Sequence, residues 1–170
     1  MRENLLKGIS LILSVFLLFL LVGCGKEEQN VSFQAQYIRT DGIVEDEKYP
    51  IVEKIQSKDE LEKYYQDHLD QYNFSDNTTD SISFTTAIDK YDEDYFKDSF
   101  LLIALVKEDS GSIFHTVTQV LKDGTVSIEK TNPDDGSTDI ATWHILIEMD
   151  KKYQDIDFHL AFDEVSKESY

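Results

Sequence analysis

The chain has 170 residues, 41% hydrophobic and 29% charged, which is one globular domain's worth of material. Its 34 acidic side chains outnumber 16 basic ones, for a formal net charge of -18, and so exclude nucleic acid, whose recognition starts from a basic footprint. With 7 Gly and 2 Pro the chain is neither fibrous nor low-complexity, and its single Cys excludes an intramolecular disulfide framework and a cysteine-built zinc site.

The first residues read as a targeting device. Arg2 and Lys7 form a short basic region, and the run from Gly8 to Val22 is uncharged and apolar apart from Gly8, Ser10 and Ser14. As a helix it would be roughly 22 Å long, short of the ~30 Å hydrocarbon core. That length suits a signal peptide better than a lasting transmembrane helix.

The apolar run ends at Leu21-Val22-Gly23-Cys24, which resembles the bacterial lipobox. Its chemistry explains its spacing. A thiol at the membrane surface becomes a diacylglyceryl thioether, and the signal peptidase needs a small residue, here Gly23, before the scissile bond. Residues 1–23 are therefore expected to be a lipoprotein signal peptide, with cleavage between Gly23 and Cys24 and lipid on Cys24. Two acyl chains suffice for stable anchoring. Residues 24–30, CGKEEQN, read as a lipidated tether reaching at most roughly 20 Å, which holds the following domain beside the outer face of the bacterial cell membrane.

Residues 31–170 are expected to form one α+β domain: a mostly antiparallel sheet of about seven strands with two or three short helices. Val31, Phe33, Ala35 and Tyr37 alternate on one face of a first strand, and Ile51 to Gln56 reads as a second. Ser57 with Glu60 forms a capping box. Leu61, Tyr64, Tyr65, Leu69 and Tyr72 then follow helical spacing and make an aromatic face. Ser83 to Phe96 reads as one or two short helices. Phe100 to Val106, apolar throughout, reads as a central strand buried on both faces.

Ser110-Gly111-Ser112 breaks that strand. Asp123-Gly124 between alternating runs predicts a two-residue type I′ hairpin that pairs Leu121 with Val126 and Gln119 with Ile128. Val117, Leu121, Val126 and Ile128 would then face inward. Ala141 to Met149 is a further strand with Trp143, Ile145, Ile147 and Met149 on one face. In the last strand Ile156, Phe158, Leu160 and Phe162 point inward, against Asp157, His159 and Asp163 outward.

No chemical motif follows from this pattern. His115, His144 and His159 lie on three separate predicted strands and His68 on the first helix, without the tight spacing of a metal site. Calcium is conceivable at Glu45-Asp46-Glu47, at Asp92-Glu93-Asp94, or at Asp134-Asp135 with Asp139. An EF-hand loop aligned on Gly136 fails, because Thr131 and Pro133 would take its first ligand positions. Ser110-Gly111-Ser112 lacks the nucleophile elbow. No metal and no cofactor are expected, and no catalytic residue is assigned.

The stretch Tyr91 to Val117, YDEDYFKDSFLLIALVKEDSGSIFHTV, is followed by the hairpin and by the run from Thr138 to Ile145. Together they resemble clostridial-type small lipoproteins of unassigned function. More remotely, the order of acidic helix, apolar strand, Ser-Gly turn, strand, hairpin and strand is similar to the PrcB C-terminal domain family, with Ser110-Gly111 at that family's Ser/Thr-Gly turn and Ser112 where it has a second Gly. The resemblance covers roughly the last 80 residues and implies a lipid-anchored binding or assembly module. The expected function is thus an extracytoplasmic binding or accessory lipoprotein without catalysis of its own, held to the membrane by its lipid and partnered by another cell-surface protein. The alternative is an extracytoplasmic hydrolase built on unassigned carboxylates or histidines.

Overall fold

A computed structural model describes residues 29–42, 48–75, 82–132 and 136–166. The signal peptide, Gly23 and Cys24, and the acidic groups at 45–47 and 134–135 lie outside the described residues. In chain order the elements are β1 (Phe33–Arg39), β2 (Ile51–Ile55), α1 (Lys58–His68), α2 (Phe84–Ile88), α3 (Tyr95–Asp98), β3 (Ser99–Glu108), β4 (Phe114–Val120), β5 (Thr125–Asn132), β6 (Ala141–Asp150), a 3-10 turn (Lys151–Tyr153) and β7 (His159–Ser166). The fold is α+β, with seven mostly antiparallel strands and three helices.

The strands divide between two sheets, one of order β1-β6-β3-β2 and one of order β4-β5-β7. The larger sheet is the middle layer of three, because its central strands are apolar on both faces. On β3, Leu101, Ile103 and Leu105 pack under the helices, while Phe100, Leu102, Ala104 and Val106 pack against the smaller sheet. β6 does the same with Leu146 on the helix side and Ile145, Ile147 and Met149 on the other. Burial on both faces removes the polar alternation that a half-solvated strand would show.

Local chemistry sets the element boundaries. Ser57 accepts the Glu60 N–H at 3.2 Å, while the Glu60 carboxylate turns back to the Gln56 N–H at 2.6 Å. The Ser57 bond satisfies a donor that the first turn of α1 leaves without a partner, and the Glu60 bond fixes the residue just before the cap. Leu61 and Tyr64 then bury the helix against the sheet, whereas Leu69, past its end, stays 43% exposed.

The β4–β5 hairpin departs from the expected two-residue turn. The Leu121 N–H donates to the Thr125 carbonyl at 2.8 Å and the Gly124 N–H to the Leu121 carbonyl at 3.0 Å, so three residues, Lys122 to Gly124, form the loop. Gly124 takes φ +93°, the left-handed residue that follows a type I turn in such loops. Val120 therefore pairs with Val126 and Gln119 with Ser127, and a bulge at Thr118 shifts the next pair to Val117 with Ile128. The bulge lets Val117 and Val120, three residues apart, both point inward. Val120 takes the buried place expected of Leu121, which is only half-buried.

β7 pairs with β5 in parallel, Thr125 opposite His159 through to Asn132 opposite Ser166. Val126 and Ile128 thereby share the inner face with Leu160 and Phe162, the inward residues expected from the alternation.

Candidate functional site

The four histidines do not converge. His144, on β6, is fully buried on the helix side of the larger sheet. Its ring meets Tyr72, Phe74 and Phe84 at centroid distances of 5.0, 5.3 and 5.0 Å. His68 packs in the same layer, against Tyr64 and Tyr72, with its Nδ1 2.8 Å from the Tyr64 carbonyl oxygen. His115 is buried on the opposite side of that sheet, and His159 is exposed on the outer face of the smaller one. Among the described residues no three His, Cys, Asp or Glu side chains are grouped to hold a metal ion.

The other candidates have local structural roles. The Ser110-Gly111-Ser112 turn docks the loop before β6: the Gly111 N–H donates to the Asp139 carbonyl at 2.9 Å and Ser112 Oγ accepts the Ser137 N–H at 3.0 Å. Arg39 clamps the same place by pairing with Asp41 at 2.5 Å and with Asp139. Of the acids at 92–94, Asp92 accepts the Tyr95 N–H at 2.8 Å and Asp94 pairs with Lys97 at 2.5 Å, so both are used at the start of α3.

A buried ionic cluster, which no sequence motif announces, closes one end of the space between the sheets. Glu108, at the last position of β3, is 8% exposed, and its Oε1 receives His115 Nε2 at 2.9 Å and Lys130 Nζ at 2.6 Å. Trp143 stands edge-on to the His115 ring at 5.7 Å, and Lys130 lies 4.5 Å over the Phe162 ring. Burial by itself would raise the Glu108 pKa, but the hydrogen bonds from His115 and Lys130 outweigh it and hold the carboxyl below its usual range. Parity carried the available signal: Glu108 follows Ala104 and Val106 on the inward face, and His115 precedes Val117 on its own. Nothing in the spacing shows that the two strands bring them together.

Above this cluster three of the large exposed apolar residues gather at one end of the molecule. Phe114 starts β4 and is 59% exposed, Ile140 immediately precedes β6 at 46%, and Val165 lies near the end of β7 at 41%. Phe114 and Val165 are both register neighbours of Thr131, so the three form one row across the outer face of the smaller sheet. The next row inward is Thr116, Glu129 and Asp163.

Two grooves among the described residues are open and carry charged side chains on their walls. One groove, of about 310 Å³, runs between β2 and α1, with Glu53, Lys54, Glu60, Lys63, Asp67 and His68 on its walls. Another, of about 370 Å³, lies beside the starts of β1 and β3. Among the described residues, the acids with displaced proton affinity are Glu108, Asp123, Asp139 and Asp150, and all are displaced downward. Hydrogen bonds hold them as anions, which suits charge pairing rather than proton donation near neutral pH.

Compared with family models, curated proteins and solved structures, the chain matches none.

Proposed function

We propose that this chain is a bacterial lipoprotein, anchored through Cys24 at the outer face of the cell membrane, that works as a binding or accessory module without chemistry of its own. The observation that carries the reading is the placement of its two ends. Gln29 and Asn30 are tied to the β4–β5 hairpin: the Lys122 N–H donates to the Gln29 carbonyl at 2.8 Å, Asn30 bridges to Leu121, and the Val31 N–H reaches the Val120 carbonyl at 2.7 Å. β4 runs from there to Phe114, roughly 20 Å at about 3.3 Å per residue. A lipid on Cys24, five residues before Gln29, thus holds the hairpin end near the bilayer and leaves the Phe114, Ile140 and Val165 end facing outward.

The apolar run ending at Leu21-Val22-Gly23-Cys24 supports the anchor. Near the bilayer, a tethered module meets other membrane-held proteins at high effective concentration. The net charge of -18 opposes contact with anionic lipid, so binding is directed to a protein partner.

Metabolic labelling with palmitate tests the anchor. The wild-type chain should take label, and Cys24→Ala should take none and remain an uncleaved precursor. Label on the Cys24→Ala chain would overturn the anchor. Substrate turnover abolished by one carboxylate or histidine substitution that leaves the fold intact would replace the module with a hydrolase.

A further inference from the structure

We infer that the outer face and free edge of the β4-β5-β7 sheet receive an extended segment of a partner protein in which basic and apolar residues alternate on one face. The inference rests on the binding-module reading and adds where the partner sits and what its chemistry is.

The register sets the geometry. Phe114, Thr131 and Val165 form the outermost row, and Thr116, Glu129 and Asp163 the next. Glu129 and Asp163 are direct neighbours on adjacent strands, and among the described residues neither has an ion-pair partner. Lys130, next in sequence to Glu129, is turned inward onto Glu108 and offers them nothing. Like charges placed opposite one another in a sheet destabilise it. On a strand added beside β7, a long cationic side chain next to Asp163 reaches across it towards Glu129 and relieves that repulsion, and an apolar side chain two residues further along the same strand lies beside Val165.

The edge supplies the backbone partners. Among the described residues β7 is paired only with β5, so its other side presents N–H and C=O groups along His159–Ser166. An added strand is the ordinary way to satisfy such an edge. A second copy of this chain does not suit it. Antiparallel self-pairing near Phe162 and Asp163 would bring Asp163 and Glu164 of both copies together, in molecules that each carry a net charge of -18. The occupant is therefore another protein with a basic, partly apolar strand.

The test uses the full-length chain in vesicles of neutral phosphatidylcholine, with synthetic peptides of repeating Thr-Lys-Thr-Val or Thr-Glu-Thr-Val, and polylysine as a third probe. The wild type should bind the Lys peptide at least about tenfold more tightly than the Glu peptide. A Glu129→Lys/Asp163→Lys variant should invert that preference, and Val165→Ser should weaken Lys-peptide binding several-fold while leaving polylysine unaffected. An unchanged preference after charge reversal, or polylysine binding as tightly as the Lys peptide, would overturn the proposal. A photocrosslinker at position 165 is compared in cells with one at position 66, on the exposed side of α1. Crosslinks to protein at 165 that are lost in the Glu129→Lys/Asp163→Lys variant support this face. Crosslinks at 66 alone overturn it and leave the module reading standing, whereas none at either position counts against the module itself.

Discussion

His144 Nδ1 lies 2.9 Å from Thr40 Oγ1 in the layer between the helices and the larger sheet, where Thr40 is 1% exposed and His144 not at all. The Thr40 hydroxyl donates to the Thr142 carbonyl at 3.3 Å and accepts the Nδ1–H. Among the described residues Nε2 has no hydrogen-bond partner, and aromatic rings surround the imidazole. Burial, with a smaller contribution from His68, pushes the His144 pKa down to about 3.

This imidazole makes stability depend on pH. Its folded-state pKa lies below the ordinary 6.5, so between those values the unfolded chain binds the proton and the folded chain does not. The stabilisation is complete above 6.5 and is lost as pH falls from 6.5 towards 3. At pH 5 the loss is about 2 kcal/mol, from ~1.4 kcal/mol per unit. Denaturant titrations at pH 7 and pH 5 should show that extra loss in the wild type and its absence in His144→Phe, which keeps an aromatic ring among its neighbours. Equal losses in both would show that other groups govern the acid response.

Glu108 holds the Lys130 ammonium and the His115 ring in a buried setting, so truncating it should be among the more damaging substitutions. Glu108→Ala leaves Lys130 and His115 without their carboxylate and should destabilise the fold by about 3 kcal/mol. Adding Lys130→Met should recover part of that, because the stranded charge is then removed. Urea unfolding of Glu108→Ala, Lys130→Met and the double variant measures the cycle, and strict additivity would argue against the coupling.

Tyr37 links the two sheets at one bond. Its hydroxyl accepts the Val117 N–H at 2.7 Å, on the side of β4 away from β5. Tyr37→Phe should cost about 1–2 kcal/mol by leaving that N–H unsatisfied. Amide exchange at Val117 should rise by more than at Val126, whose partners are unchanged. Equal protection at both would show that the bond contributes little.

Gly124 has no room for a side chain. At φ +93° a Cβ would run into the Asp157 carbonyl oxygen, and the Gly124 carbonyl itself accepts the His159 N–H at 3.0 Å. Gly124→Val should lose more than about 2 kcal/mol, from the left-handed backbone and from displacement of β7. A melting temperature equal to the wild type would contradict this turn geometry.

Much of the fold was legible residue by residue. The alternation of Val31 to Tyr37 placed those side chains on the inner face they occupy, that of Ile156 to Phe162 did so for Phe158, Leu160 and Phe162 although the strand begins only at His159, and the all-apolar Phe100 to Val106 run announced a strand covered on both sides. Ser57 with Glu60 marked the start of α1, and Asp123-Gly124 marked a turn with a positive-φ glycine. These features are local: periodicity, capping and turn chemistry act over a few residues, so sequence by itself determines them.

What tertiary structure decided was which residues meet. The division into two sheets, the bulge at Thr118 and the extra loop residue depend on how β4 must bend to cover the middle sheet, and together they exchanged Leu121 for Val120 in the core. Glu108, His115 and Lys130 are separated along the chain and joined only because β3, β4 and β5 end at the same side of the sandwich. The Phe114, Thr131 and Val165 row likewise exists only through strand register. Such contacts are set by long-range pairing and burial, whose free energy no single segment carries, and a candidate surface made from three strands was therefore not readable in any one of them.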